Sequence, residues 1–347
     1  MAELLGGKYE VLELAGEGGM AKVYRGRTHG AAGFTRPVAV KRVLAPLSHN
    51  PEFLEMFVEE ARVVSELEHP NIAQIHDFDR DRTGEYYLIL EWVDGLTLAE
   101  WRSAYKDSGE TTPWEIVTAA GVQVLRALHA AHVRTDEAGS PAPVFHRDVT
   151  PQNVMLSKCG VVKLTDFGLA RAMDRGSFTK PGFVKGKVSY LAPELTYEAA
   201  PSAQSDLFST AVVLWETLAG RKMFEGKDPV KVIGTIRGMD IPNLRDVRGD
   251  LPAGLCEVLG RALELDPSDR HETALSMGRE LSELLQALPE PVDEATLAES
   301  VAEARRRLGN DEPVTKSYPA GRSLSLRGGA DETIPDASIP LTRRIKR

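Results

Sequence analysis

Cysteine is nearly missing from this chain: two residues, Cys159 and Cys256, in 347. Two thiols suggest neither a disulfide framework nor a metal site, which fits a reducing compartment. Long apolar runs are missing too. No stretch approaches about 18 uninterrupted apolar residues, so no transmembrane helix is expected. The first residues, MAELLGGKYEV, hold no basic stretch followed by a long apolar one, so no signal peptide is expected. Positive charge is in deficit. The formal net charge is −9, whereas a nucleic-acid protein usually presents a basic surface. These absences predict a cytoplasmic protein with neither a nucleic-acid nor a membrane partner. What is present is a globular composition, 42% hydrophobic and 27% charged, rather than a disordered one. The length suits one large two-lobed domain with a tail, or two ordinary domains.

The first ninety residues read as short strands and one helix. Residues 9–14, 21–27 and 37–43 are strand-like, broken by Gly16, Gly18, Gly19 and Gly33. Residues 51–67 read as a helix with Asn50 as its N-cap and Pro51 at the first position. Glu60 falls in the middle of that helix's apolar stripe. Residues 86–92 form another strand, ended by Asp94-Gly95. From residue 112 the pattern turns helical. Thr112-Pro113-Trp114-Glu115 has the form of a capping box opening a helix to about His132. Residues 205–219 are apolar almost all round, the mark of a helix buried on every side. Two further helices fit 252–265 and 271–287. The globular part is expected to end near Pro289. Residues 294–308 fit an additional amphipathic helix, and 310–347, rich in Pro, Gly, Ser and charge, read as a disordered tail.

Several short motifs carry chemistry. Gly16-Glu17-Gly18-Gly19-Met20-Ala21-Lys22-Val23 lies between two strands, where glycines let a backbone approach phosphates. A plain hairpin turn is the competing reading. Val38-Ala39-Val40-Lys41 sets a lysine on an alternating strand. A solvated lysine is the usual outcome, but a carboxylate on the apolar face of a helix needs a cation. Lys41 is the predicted partner of Glu60, whose alternative is a stripe edge that reaches water. His146-Arg147-Asp148-Val149-Thr150-Pro151-Gln152-Asn153 follows a helix and a polar insertion at 135–143. Asp166-Phe167-Gly168 and Ala192-Pro193-Glu194 come next. Asp148 can accept a hydroxyl proton. Asn153 and Asp166 offer the hard oxygen ligands that Mg²⁺ prefers.

In this order and spacing, over roughly residues 8–286, the motifs resemble the eukaryotic-like (Hanks-type) protein kinases, and the surrounding phrasing resembles the bacterial serine/threonine members. The resemblance implies an α+β bilobal fold: a small β-rich N-lobe with one key helix, and a larger, mainly helical C-lobe. It implies a leader over 1–8, an N-lobe over 9–92, a hinge at 91–95 and a C-lobe over 96–287, with the extra helix in 288–309. The implied reaction moves the γ-phosphate of ATP, with Mg²⁺, to serine or threonine of protein substrates. A second copy of the chain is a further implied partner, for trans-autophosphorylation. The alternatives are a pseudokinase-like ATP-binding scaffold and a small-molecule kinase.

Residue roles follow from the resemblance. Gly16 and Gly18 would cover the phosphates, and Val23, Ala39 and Met155 would enclose adenine. Leu90 would be the gatekeeper, and the backbones of Glu91 and Val93 would bond adenine. Lys41, oriented by Glu60, would hold the α/β-phosphates. Asp166 and Asn153 would bind Mg²⁺, and Asp148 would be the catalytic base. Asp206 would brace the catalytic loop, and Arg270 would pair with Glu194. Arg147 would receive a phosphate placed on Ser177 or Thr179. Two positions depart from the family. Thr150 stands where the serine/threonine enzymes carry lysine, and Lys187 stands where they carry threonine. Either Lys187 takes over the missing charge and Thr150 bonds Asp148, or Lys187 points to solvent. One such charge at about 4 Å is worth roughly 4 kcal/mol before desolvation.

Overall fold

Alternation along the strand that carries Lys41 decides how the N-lobe is built. In this computed structural model the described residues are 3–18, 21–44, 51–167, 188–226, 228–239 and 241–309. Asn50, Gly168, Ser177, Thr179, Lys187 and the tail from 310 lie outside them. Six antiparallel strands form the first sheet: β1 (Leu4–Leu5), β2 (Tyr9–Glu17), β3 (Ala21–His29), β4 (Thr35–Val43), β5 (Ile75–Arg80) and β6 (Tyr86–Glu91). Their order is β1-β2-β3-β4-β6-β5. Successive side chains of a strand point to opposite faces. Val38 and Val40 therefore join Leu5, Tyr9, Tyr87 and Ile89 in one cluster. Val43, Leu88 and Leu90 belong to the larger core on the other face. Lys41 shares the Val43 face and is itself buried.

Helix α1 (Pro51–Ser65) lays Phe53, Phe57, Ala61 and Val64 on that core. Phe53 and Phe57 stack at 5.6 Å, one turn apart. Glu60 falls on this buried stripe, so its carboxylate is directed into the protein. A stripe-edge position that reaches water is thereby excluded.

Past the hinge, β7 (Gly95–Thr97) leads into α2 (Leu98–Asp107), with Thr97 and Glu100 forming a reciprocal capping box. Helix α3 (Trp114–His132) follows. Its expected cap is corrected by the structure. Pro113 is the N-cap and makes no side-chain cap bond, while the Thr112 hydroxyl donates to the Thr217 carbonyl at 2.8 Å. A buried carbonyl at the end of a neighbouring helix competes for the hydroxyl, and buried polar groups must be satisfied. Strands β8 (Val154–Ser157) and β9 (Val162–Leu164) complete a second sheet with β7.

The centre of the C-lobe is α4 (Ala203–Ala219), buried on all sides as its composition predicts. It is capped by Ser202 and stopped by left-handed Gly220. It packs on α3, with α6 (Leu244–Val247) and α7 (Ala253–Ala262) beside it, and α5 (Pro229–Gly238) and α8 (Ala274–Gln286) complete the lobe. A last helix, α9 (Glu294–Arg307), packs on α2 and on the β7–β8 edge within the same compact unit. No described helix is long and apolar enough to cross a membrane.

A buried ion pair locks the base of the C-lobe. Arg270, with a fully buried side chain, forks onto Glu194 at 2.8 and 2.9 Å. It also donates to the carbonyls of Glu264, Gln204 and Leu265. Removing one partner leaves a buried charge uncompensated, at a cost of about 3–5 kcal/mol. Glu194→Ala should therefore lower the urea unfolding free energy by at least about 3 kcal/mol. A change within about 0.5 kcal/mol, typical of surface positions, would show that the pair is structurally idle.

Candidate active site

One carboxylate at the start of α4 fixes the loop that follows α3. Asp206 accepts the backbone amides of His146 and Arg147, each at 2.8 Å. His132, at the end of α3, adds a third contact to it at 2.9 Å. Arg147 is held at φ 64°, a left-handed backbone that non-glycine residues adopt at a cost. The two amide bonds of Asp206 over-determine that conformation. From this turn Arg147 reaches Glu60, while Asp148 meets Asn153. Asn153 closes the loop, its amide nitrogen donating to the Asp148 carbonyl at 2.7 Å and to its carboxylate at 3.0 Å. The bond expected from Thr150 to Asp148 is not formed; Thr150 is buried, and Asn153 supplies the donor instead.

A second aspartate reaches the same place from β9. Thr165 donates to the Asn153 carbonyl through both its amide (2.9 Å) and its hydroxyl (3.2 Å). That fastens Asp166 beside the loop. Asp166 also has a left-handed backbone, at φ 62°. Phe167 turns back into the core and packs on the His146 ring at 4.5 Å.

The N-lobe contributes the cation. Lys41, 6% exposed, meets Asp166 at 2.7 Å. This corrects one expectation: Lys41 does not pair with Glu60. Glu60 faces Arg147 at 3.6 Å. The physical demand behind the prediction, that a buried carboxylate needs a cation, is met by a different residue. Arg147, expected as a phosphate receptor, is thus engaged by the helix glutamate.

The rest of the predicted set falls on β2, β3, β4, β6 and β8, on the turn after β2 and on the connection between β6 and β7. Val23 lies opposite Lys41 across the β3–β4 ladder, and Ala39 lies opposite Leu90 across β4–β6. Glu91 ends β6; its amide donates to the Gln74 carbonyl, and its carboxylate takes Lys163 at 2.9 Å. Val93 is buried in the connection to β7. Met155 sits on β8 across from Thr97 and Lys163. Gly16 pairs with Val23 where β2 bulges, and the Gly18 amide donates to the Ala21 carbonyl at 2.9 Å. A Cβ at Gly16 would meet nothing within 4 Å, and one at Gly18 only Ala21 O at 3.7 Å. The protein's own packing therefore does not require glycine at either place.

The donors suit a hard divalent cation. Asn153 Oδ1 has no hydrogen bond among the described residues, because the amide nitrogen serves Asp148. With the Asp166 carboxylate it gives the small oxygen set that Mg²⁺ takes alongside phosphates and water.

Sequence reasoning passed over two elements. His132 shares Asp206 with the catalytic loop. Glu216, fully buried in α4, accepts from Tyr190 at 2.8 Å and pairs with Arg102 at 3.2 Å. The signal for Glu216 was the one that singled out Glu60, a carboxylate within an apolar helix.

A small antiparallel sheet hinged over a helical lobe, with lysine, aspartate and asparagine converging at the join, defines a two-lobed phosphotransferase fold. The chain belongs to the protein kinase family: the family model described as protein kinase domain matches residues 9–280. The tyrosine-protein kinase MasK of Myxococcus xanthus is 36% identical over 77% of this chain and 41% of its own length. The serine/threonine-protein kinase PknL of Mycobacterium bovis is 33% identical over 83% and 68%. PrkC of Bacillus subtilis, a serine/threonine-protein kinase, is 28% identical over 99% and 49%. The chain thus spans about two fifths to one half of several curated relatives. The crystal structure of the Mycobacterium tuberculosis PknI kinase domain matches with a TM-score of 0.60 at 27% identity, covering 81% of this chain and 97% of that one.

His146 gives the site a pH limit. Complete burial holds its pKa below the ordinary histidine value. The neutral ring fits its partners, with Nδ1 accepting from the Asp148 amide at 3.2 Å and Nε2 on the Thr165 carbonyl at 2.9 Å. A histidine with a depressed folded pKa contributes stability above its unfolded value near 6.5, lost as pH falls. Stability should thus drop as pH is lowered from about 7.5 to 5.5, and His146→Asn should flatten that dependence. Equal pH dependence in both proteins would contradict this reading.

Proposed function

We propose that this chain transfers the γ-phosphoryl group of ATP to serine or threonine hydroxyls of protein substrates, acting in the cytoplasm. The observation that carries the reading is the convergence of Lys41 and Asp166 (2.7 Å) with the Asp148–Asn153 loop that Asp206 locks. Phosphoryl transfer asks a protein for positioning and charge neutralisation more than for covalent help.

Each residue has one task. Gly16 and Gly18 admit the phosphates, and Val23, Ala39, Leu90 and Met155 enclose the adenine. The backbones of Glu91 and Val93 hold its edge. Lys41 neutralises the α/β-phosphates. Asn153 and Asp166 would hold Mg²⁺, which when bound neutralises charge on the β/γ-phosphates. Asp148 orients the substrate hydroxyl and receives its proton. The hydroxyl oxygen forms a bond to the γ-phosphorus as the bond to the β-phosphate oxygen breaks.

Control follows from the ion pairs. Glu60 occupies Arg147, and Lys41 sits on Asp166. Phosphate on Ser177 or Thr179 would compete for Arg147, since a guanidinium binds phosphate by two parallel bonds. Glu60 would then be displaced from Arg147. A second copy of the chain would transfer that phosphate from its ATP. The tyrosine reading has one specific support, the 36% identity to MasK together with Thr150 in place of lysine.

Incubation with labelled ATP and Mg²⁺, followed by phosphoamino-acid analysis, decides between these readings. The expected result is label on serine or threonine, including Ser177 or Thr179. Asp148→Asn should reduce it by roughly 10²-fold or more, and Lys41→Met should abolish it. Label on tyrosine alone would transfer the assignment to the MasK reading. Label that survives both substitutions would overturn the proposed site.

A further inference from the structure

Helix α9 lies beyond the residues that the family model matches, which end at 280. Its contacts go to the nucleotide side of the C-lobe. Leu297, Val301 and Ala304, spaced four and three residues apart, are buried along one face. Trp101 of α2 donates its indole N–H to Ser300 Oγ at 3.0 Å, and the Tyr105 hydroxyl meets the same oxygen at 3.3 Å. Arg307 covers the Tyr105 ring at 4.7 Å and pairs with Glu110 at 3.0 Å. At its start the helix abuts the β8–β9 turn so closely that a Cβ on Gly160 would fall 1.8 Å from the Glu294 carbonyl oxygen. A side chain cannot be placed there without moving backbone.

One contact reaches the hinge itself. Arg305 Nη1 lies 3.3 Å from Asp94 Oδ1. Asp94 directly follows Val93. Lys158 grips the same residue twice, its ammonium on the carboxylate at 2.6 Å and its amide on the Asp94 carbonyl at 2.8 Å. Asp94 is thus held from the β8–β9 side by Lys158 and from α9 by Arg305.

We propose that α9 is a brace for the hinge, with Arg305 as a positioning residue that sets the backbone at Val93 and Asp94 for nucleotide binding. The inference rests on the ATP-site reading above. The catalytic unit of this chain accordingly runs through α9. Loosening the brace weakens nucleotide binding and leaves the catalytic loop, which Asp206 fixes separately, in place. The expected signature is a change in affinity with turnover retained.

The experiment measures ATP binding by calorimetry on the full chain, beside kcat and Tm, for the unaltered protein, Arg305→Ala, Arg305→Lys, Asp94→Asn, the Arg305→Ala/Asp94→Asn pair and Val301→Asp. Arg305→Ala should raise the ATP Kd about threefold, the size of a partly exposed ion pair, with kcat unchanged. Arg305→Lys should restore most of the loss. The double variant should bind no more weakly than Asp94→Asn alone, because that substitution already removes the Arg305 pair along with the Lys158 pair. Val301→Asp, which places a charge in the α9 interface, should raise Kd at least about tenfold and lower Tm. Unchanged Kd in Arg305→Ala, fully additive effects in the pair, or a lower Tm with unchanged Kd in Val301→Asp would each overturn the brace. If the unaltered chain binds no ATP, the proposed function fails and this inference with it.

Discussion

The active-site geometry depends on a single buried carboxylate. Asp206 is 1% exposed and sits in the first turn of the helix around which the C-lobe is packed. A buried charge is tolerable only when donors surround it. Here they are the amides of His146 and Arg147 and the ring of His132. The N-terminal turn of α4 adds its own favourable dipole. The carboxylate therefore needs the loop, and the loop needs the carboxylate to keep Arg147 left-handed. The helix buried at the centre of the C-lobe is thereby tied to the loop that carries Asp148. Asp148, Asn153, Thr165 and Asp166 follow in a chain of hydrogen bonds from that anchor.

On the N-lobe side the ion pairs are less tightly specified. Lys41, Glu60, Arg147 and Asp166 form two pairs, Lys41 with Asp166 and Glu60 with Arg147. The same four charges also admit a Lys41–Glu60 pair, which leaves Arg147 available to an anion. That arrangement takes their present partners from Arg147 and Asp166, which are partly exposed at 18% and 33%, so each loses less than a fully buried ion would. Small inputs such as a phosphate or a bound nucleotide can then decide between them. The lobes are also stitched together away from these charges. Asn71 donates to Gln123 and to the Val162 carbonyl, and the Ala73 amide donates to Leu164.

Local rules reached far into this chain. Period-two alternation placed Lys41 on the right strand, and the apolar stripe of residues 51–67 correctly marked Glu60 as a buried charge. The all-apolar run at 205–219 identified the central helix. What local rules could not supply were choices among partners. Glu60 required a cation, yet nothing in the spacing favoured Lys41 over Arg147. Thr112 had the composition of a cap, and the buried carbonyl of Thr217, 105 residues away, claimed its hydroxyl. Glu216 carried the same local flag as Glu60, but its partners Tyr190 and Arg102 come from separate elements. The docking of α9 on the hinge likewise depends on Trp101 and Asp94, about two hundred residues earlier. Each of these is a tertiary decision, made where long-range neighbours satisfy a group that local sequence only flags.

The most direct test is Asp206→Asn, which keeps the volume of the side chain while replacing one acceptor oxygen by an amide donor facing the loop. ATP affinity and turnover would be measured together with the thermal transition. The account predicts that turnover falls by about 10²-fold or more, a loss of roughly 3 kcal/mol of transition-state stabilisation, while ATP still binds within about threefold of the unaltered chain. Unchanged turnover in a folded protein would contradict the claim that this carboxylate places the catalytic loop.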